Sequence, residues 1–124
     1  MASTIPFKLI TPTKVVFEGE AELVIAVTTE GEEGILAHHA PFLSALKPGV
    51  LRANVLENGA ARRLEMATGE GFMQALPDGV TVLVDEALAF EDVDVAATRQ
   101  ELAEAKDQSA IDFANAKLRL TGSH

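Results

Sequence analysis

The chain contains no cysteine, no tryptophan and no tyrosine. Without cysteine there is no disulfide, no thiolate nucleophile and no cysteine-ligated zinc. With six phenylalanines as the only large aromatics, the usual stacking platforms for bases or sugars are missing. Positive charge is also scarce. Ten lysines and arginines stand against nineteen aspartates and glutamates, for a formal net charge of -9. A surface of that sign neither releases counterions from nucleic acid nor docks on anionic lipid. No uncharged apolar run approaches the roughly 20 residues of a membrane span, so no direct lipid insertion is expected. Residues 1–8 hold no apolar core of signal-peptide length, and no targeting segment is expected there.

What is present is a large apolar fraction, 48% of 124 residues. That supports a packed core in one domain, or in a small domain with an appendage. Residues 5–88 read as β. Leu23, Ile25 and Val27 alternate with Glu22, Val24 and Ala26, leaving both faces largely apolar. Val80, Val82 and Val84 alternate with Thr81, Leu83 and Asp85. Asn58-Gly59 supplies the positive φ values of a type I′ hairpin. Lys47-Pro48-Gly49 and Pro77-Asp78-Gly79 are further turns. Short strands with frequent turns predict two sheets packed face to face, with part of the outer surface covered.

Beyond residue 88 the turns stop and Ala, Glu, Lys and Arg dominate. Asp92 or Asp94 caps a first helix running to about Gln108, and Ser109 opens a second through a capping box with Asp112. Ile111, Ala114 and Leu118 share one face of it, and Gly122 ends it. The expected fold is therefore mainly β with α. A β-sandwich over residues 1–88 precedes an antiparallel helical hairpin over residues 89–124, with residues 89–91 as a hinge.

Residues 30–49 concentrate the polar features. Two chemistries are weighed there, and a third at residues 69–71. His38 and His39 are adjacent, so on an extended chain they point to opposite faces and do not share a metal ion. Glu30, Glu32 and Glu33 have no nucleophile or orienting triad beside them. Gly69-Glu70-Gly71 is a lone G-x-G without the third glycine of a phosphate loop. No catalytic, cofactor or metal residues are assigned. A docking loop remains. Gly31 and Gly34 allow tight turns, Glu32 offers a charge to a partner, and Pro41 holds Ala40 extended ahead of Phe42.

Glu30-Gly31-Glu32, Gly34-Ile35, His39-Ala40-Pro41 and Lys47-Pro48-Gly49 together resemble the epsilon subunit of F-type ATP synthase, called delta in mitochondria. Thr11-Pro12, Phe17-Glu18-Gly19 and the 68–72 segment extend the likeness over nearly the whole chain. The resemblance implies a non-catalytic rotor component whose sandwich binds the gamma subunit and rests on the c-ring, peripheral on the cytoplasmic face of the bacterial inner membrane. It assigns Glu30, Gly31, Glu32, His39, Ala40, Pro41 and Phe42 to the c-ring and Thr11 and Ser44 to gamma. It makes the hairpin a regulatory element that can reach the alpha and beta subunits and restrain ATP hydrolysis, with Arg99, Lys106, Lys117 and Arg119 as its cations.

The chain departs from that pattern at Glu33, at Ala37-His38, and at Ala97, where ATP-binding members carry arginine. Modest inhibition insensitive to ATP is the corresponding expectation. Two alternatives stand beside it, a coupling-only subunit and a free-standing sandwich that binds a small ligand.

Overall fold

A computed structural model of the chain describes residues 3–37, 39 and 41–122. Among the described residues nine strands precede two α-helices. In chain order the strands are β1 (Ile5–Thr11), β2 (Lys14–Thr28), β3 (Gly31–Leu36), β4 (Phe42–Leu46), β5 (Gly49–Glu57), β6 (Ala60–Thr68), β7 (Gly71–Leu76), β8 (Gly79–Val84) and β9 (Ala87–Ala89). One layer is β1, β8, β7 and β4, and the other is β3, β2, β5, β6 and β9. The two expected sheets are continuous because the 15-residue β2 belongs to both. Its first half pairs with β1 and its second half lies between β3 and β5.

A bulge makes that possible. The β2–β5 register shifts between Ala21 and Leu23. An extra residue reverses which side chains face the core. Phe17 and Ala21 are buried before the shift, and Val24, Ala26 and Thr28 after it. Leu23, Ile25 and Val27 therefore face outward and are half-buried. Inside, Phe7, Leu9, Val82 and Met73 of one layer meet Val24, Leu51 and Val55 of the other in a single core. The Phe7 and Phe17 rings stack at 5.6 Å within it.

The turns follow their chemistry. Asn58 (φ 54) and Gly59 (φ 79) carry the left-handed pair of the β5–β6 hairpin. Gly49 serves a different need. A Cβ there would lie 2.5 Å from Cγ2 of Val27, so the close approach of β5 to β2 requires a bare backbone.

The expected boundary at residue 88 falls inside β9, where Ala89 pairs with Met66 of β6. Ala89 is thus a ladder residue, and Phe90–Asp92 form a 3-10 turn in place of an open hinge. Asp94 caps α1 (Val95–Glu104), accepting from the Ala97 amide at 3.0 Å. The helix is shorter than expected because Asp107 is taken as the cap of α2 (Gln108–Leu120), accepting from the Ala110 amide at 2.8 Å. Ser109 lies within the first turn and is not the cap. Gly122 (φ 74) closes the hairpin as expected.

α2 lies across the outer face of β5 and β6, so the helix covers part of the outer surface, though not mainly the strands β2 and β8 that read as apolar on both faces. Of the large apolar residues on the helices, only Leu118 is fully buried. Ala114 and Ala116 supply the rest of the close packing. Replacing Asp107 by alanine is expected to lower stability by about 1 kcal/mol, the usual worth of an N-cap. A urea titration followed by far-UV dichroism measures it.

Candidate interaction surfaces

The sequence-assigned residues fall on two separate regions of the sandwich. The first is the edge formed by β3. Among the described residues β3 pairs only with β2, so its other side is open. Glu30 sits in the turn before β3, and His39, Pro41 and Phe42 follow it. His39 meets Phe42 edge-on at 6.1 Å. At about 3.3 Å per residue, six-residue β3 holds the two loops roughly 17 Å apart. The two assigned segments thus mark the ends of one free edge, not one compact loop. His38 and Ala40 lie outside the described residues.

Glu32 is not a bare charge at the tip. Its carboxylate accepts from Nη2 of Arg52 at 2.7 Å, on the outer face of β5. A partner cation has to compete with that guanidinium. The turn itself is fixed by Thr28, whose hydroxyl donates to the Gly31 carbonyl at 2.7 Å and accepts from the Glu30 amide at 3.1 Å.

The second region is the outer face of the other layer. Cross-strand registry aligns Ala45 of β4 with Phe72 of β7, Phe72 with Leu83 of β8, Leu83 with Ile10 of β1, and Ile10 with Val15 of β2. These five side chains form one apolar row over five strands, roughly 19 Å at the usual strand spacing. Phe72 is 57%, Leu83 43% and Val15 55% exposed, and Leu43 beside the row is 69% exposed. The next row begins with Leu43 on β4 and is polar beyond it, with Gln74, Thr81, Lys8 and Glu18 in register. Thr11 follows Ile10 on β1 and Ser44 precedes Ala45 on β4, each next to a row member in sequence with its own side chain alternating to the opposite face. Sequence reasoning found these flanking residues and missed the row, since its members come from five strands that are contiguous only after pairing.

The hairpin cations do not gather in one place. Arg99 and Lys106 are exposed on α1 and the connection, and Arg119 lines a cleft with Glu32, Arg52 and Glu65. Lys117 is buried, with Nζ donating to Glu101 of α1 at 2.8 Å.

Gly69 and Gly71 turn out to be packing glycines. A Cβ on Gly69 would collide with the Asp85 carboxylate, and one on Gly71 with the Leu83 carbonyl. Among the described residues no three His, Asp or Glu side chains converge as a metal site, and no helix is long and apolar enough to cross a membrane.

Residues 4–90 match the family model of the ATP synthase delta/epsilon chain β-sandwich domain. The ATP synthase epsilon chain of Parvibaculum lavamentivorans is 35% identical over 115 residues, covering 93% of this chain and 84% of that one. The epsilon chain of Teredinibacter turnerae is 36% identical, covering 97% and 87%. A chain in the cryo-EM structure of Tetrahymena thermophila mitochondrial ATP synthase central stalk and c-ring shares the fold. Its TM-score is 0.66 at 18% identity, over 98% of both chains. A chain of the Euglena gracilis mitochondrial enzyme gives 0.67 at 20% identity, over 97% of this chain and 78% of that one.

Proposed function

The chain belongs to the ATP synthase delta/epsilon family as a non-catalytic epsilon-type subunit of the central stalk, and from that premise we propose that it couples c-ring rotation to gamma. The exposed apolar row from Ala45 to Val15 carries this reading. Apolar side chains aligned over five strands, with Phe72, Leu83 and Val15 exposed, are a surface suited to a protein partner. Thr11 and Ser44, assigned to gamma, adjoin two of its members, Ile10 and Ala45, in sequence. The β3 edge, with Glu30, Gly31 and Glu32 at one end and His39, Pro41 and Phe42 at the other, is then the c-ring side. A rotor coupler needs two such faces on one stiff body, and the shared core of the two layers supplies the stiffness. The position is peripheral, on the cytoplasmic face of a bacterial inner membrane.

Co-expression of the tagged chain with its own gamma and c subunits tests this. Recovery of both in stoichiometric amount is the expected result. Recovery of neither returns the chain to a free-standing ligand-binding sandwich.

In this proposal residues 94–124 are a separable and weakly inhibitory element. α2 has 13 residues, about 20 Å at 1.5 Å per residue, which limits its reach. Ala97 stands at the surface where an ATP-clamping arginine would be, and its amide is engaged by Asp94. Deleting residues 94–124 is expected to leave the sandwich folded. It should raise ATP hydrolysis by the assembled enzyme less than about threefold, below the roughly 5–150-fold usual for allosteric coupling. Hydrolysis assays on wild-type and truncated complexes measure the ratio.

A further inference from the structure

Because among the described residues only β2 lies beside β3, one row of its backbone amides and carbonyls is left without a ladder partner. An open edge of that kind is a template for another strand. Most of its side chains do little to blunt it. Gly31 and Gly34 have none, and Leu36 is 59% exposed. Glu32 reaches back across β2 to Arg52 on β5, 2.7 Å away, and its charge is met there. The strand carries no lysine, arginine or proline.

Glu33 differs from its neighbour. It pairs with Ala26, and directly opposed residues of an antiparallel ladder share a face. Ala26 is 1% exposed, as is Ile35 two residues further along β3. The Glu33 carboxylate is therefore carried on the inner face of the sheet, half-buried at its rim. None of the ion pairs among the described residues includes it.

We propose that Glu33 bars a second copy of this chain from adding to the sheet at β3. The geometry of self-pairing is restrictive. Two copies that continue one sheet with their inner faces aligned are related by a two-fold axis normal to it, so β3 meets β3 antiparallel and the axis falls on a residue facing its own counterpart. Two such registers use most of the strand. With the axis at Glu33, the two carboxylates face each other across about 5 Å. With the axis at Gly34, each Glu33 is set against Ile35 of the other copy. Both bury carboxylates in a seam to which β3 brings no cation, and an unpaired buried charge is costly. A slip of one residue relieves the repulsion only by joining the inner face of one copy to the outer face of the other. Valine in place of Glu33 would instead extend the apolar inner face of Ala26 and Ile35 to the rim. This role needs neither gamma nor the c-ring.

Sedimentation equilibrium on the full-length chain tests it, with Glu33→Val and Glu33→Lys beside the wild type. The wild type is expected to stay monomeric. Glu33→Val should strengthen self-association by about a hundredfold or more, as for removal of two like charges from a buried seam. Glu33→Lys keeps a charge at the same place and should stay monomeric. Hydrogen–deuterium exchange locates the contact, since amides of residues 31–36 should slow in the Glu33→Val protein as its concentration rises. Glu33→Thr, uncharged and strand-forming, takes the place of Glu33→Val if that protein precipitates. An uncharged variant as monomeric as the wild type, equal association of Glu33→Lys, or association that leaves residues 31–36 unprotected would overturn the proposal.

Discussion

Replacing Phe72 and Leu83 together by aspartate is expected to abolish recovery of gamma with this chain while the isolated protein still folds. The two side chains are adjacent in registry at the centre of the apolar row. Central apolar residues of an interface cost about 2 kcal/mol or more each when removed, and burying a new carboxylate adds to that. About 4 kcal/mol is a loss of roughly a thousandfold in affinity. The fold is spared because both side chains point away from the core, at 57% and 43% exposure. Aspartate on a strand surface costs on the order of 1 kcal/mol per site. Affinity measurement with purified gamma, alongside a thermal melt of the double variant, separates the two effects. Binding within tenfold of wild type would remove the row from the gamma interface.

Gly71→Ala should be the most destabilising single methyl in the sandwich. Gly71 starts β7 and is paired on both sides, with Leu46 of β4 and Val84 of β8. Its φ is not the issue. The missing Cβ would meet the Leu83 carbonyl oxygen and lie 2.7 Å from Cα of Val84, and both are backbone atoms within a ladder. A flexible side chain could move aside, whereas a strand held on both edges cannot. Overpacking of this kind costs about 3 kcal/mol or more, which lowers the melting temperature by roughly 10 °C in a domain of this size. Gly59→Ala makes the matching control. It sits in open space at φ 79, so its cost is conformational strain alone, about 1 kcal/mol. Calorimetry on the two variants gives the comparison, and a Gly71→Ala protein as stable as Gly59→Ala would refute the clash.

The same glycine shows what one sequence can and cannot disclose. Local signals were legible. Asn58-Gly59 announced a hairpin because positive φ at two successive residues needs that pair. Val80, Val82 and Val84 are the core face because period 2 alone selects them. The change from turns to alanine-rich helix was visible, with Asp94 one of the two caps it offered, but the boundary at residue 88 falls inside β9. Signals that depend on pairing were not legible. The parallel contact of β1 with β8 joins residues more than 70 positions apart, such as Phe7 and Val80. No local pattern encodes it, and the apolar row exists only because of it. Gly69-Glu70-Gly71 reads only as a lone G-x-G, and nothing local shows that its glycines face an aspartate and a carbonyl from β8 and its exit turn. The cap of α2 was missed by two residues because Ser109 and Asp107 both have capping chemistry. Asp107 prevails because the extended backbone at φ -114, ψ 158 falls there. Lys117 stands in the sequence only as one of the hairpin's cations, and its burial was not legible, since that depends on a carboxylate in another helix.

The long β2 strand has a mechanical consequence. In a sandwich whose sheets meet only through side chains, a sideways load makes one sheet slip over the other, resisted by dispersion contacts alone. Here residues 14–21 belong to the ladder of one layer and residues 23–28 to the ladder of the other, and the peptide chain runs unbroken between them. Shear applied at the apolar row is carried to the β3 edge along covalent bonds and two hydrogen-bonded ladders. Softness is then concentrated at the bulge near Glu22, where the register shifts, and the body yields first by bending there and not by sliding.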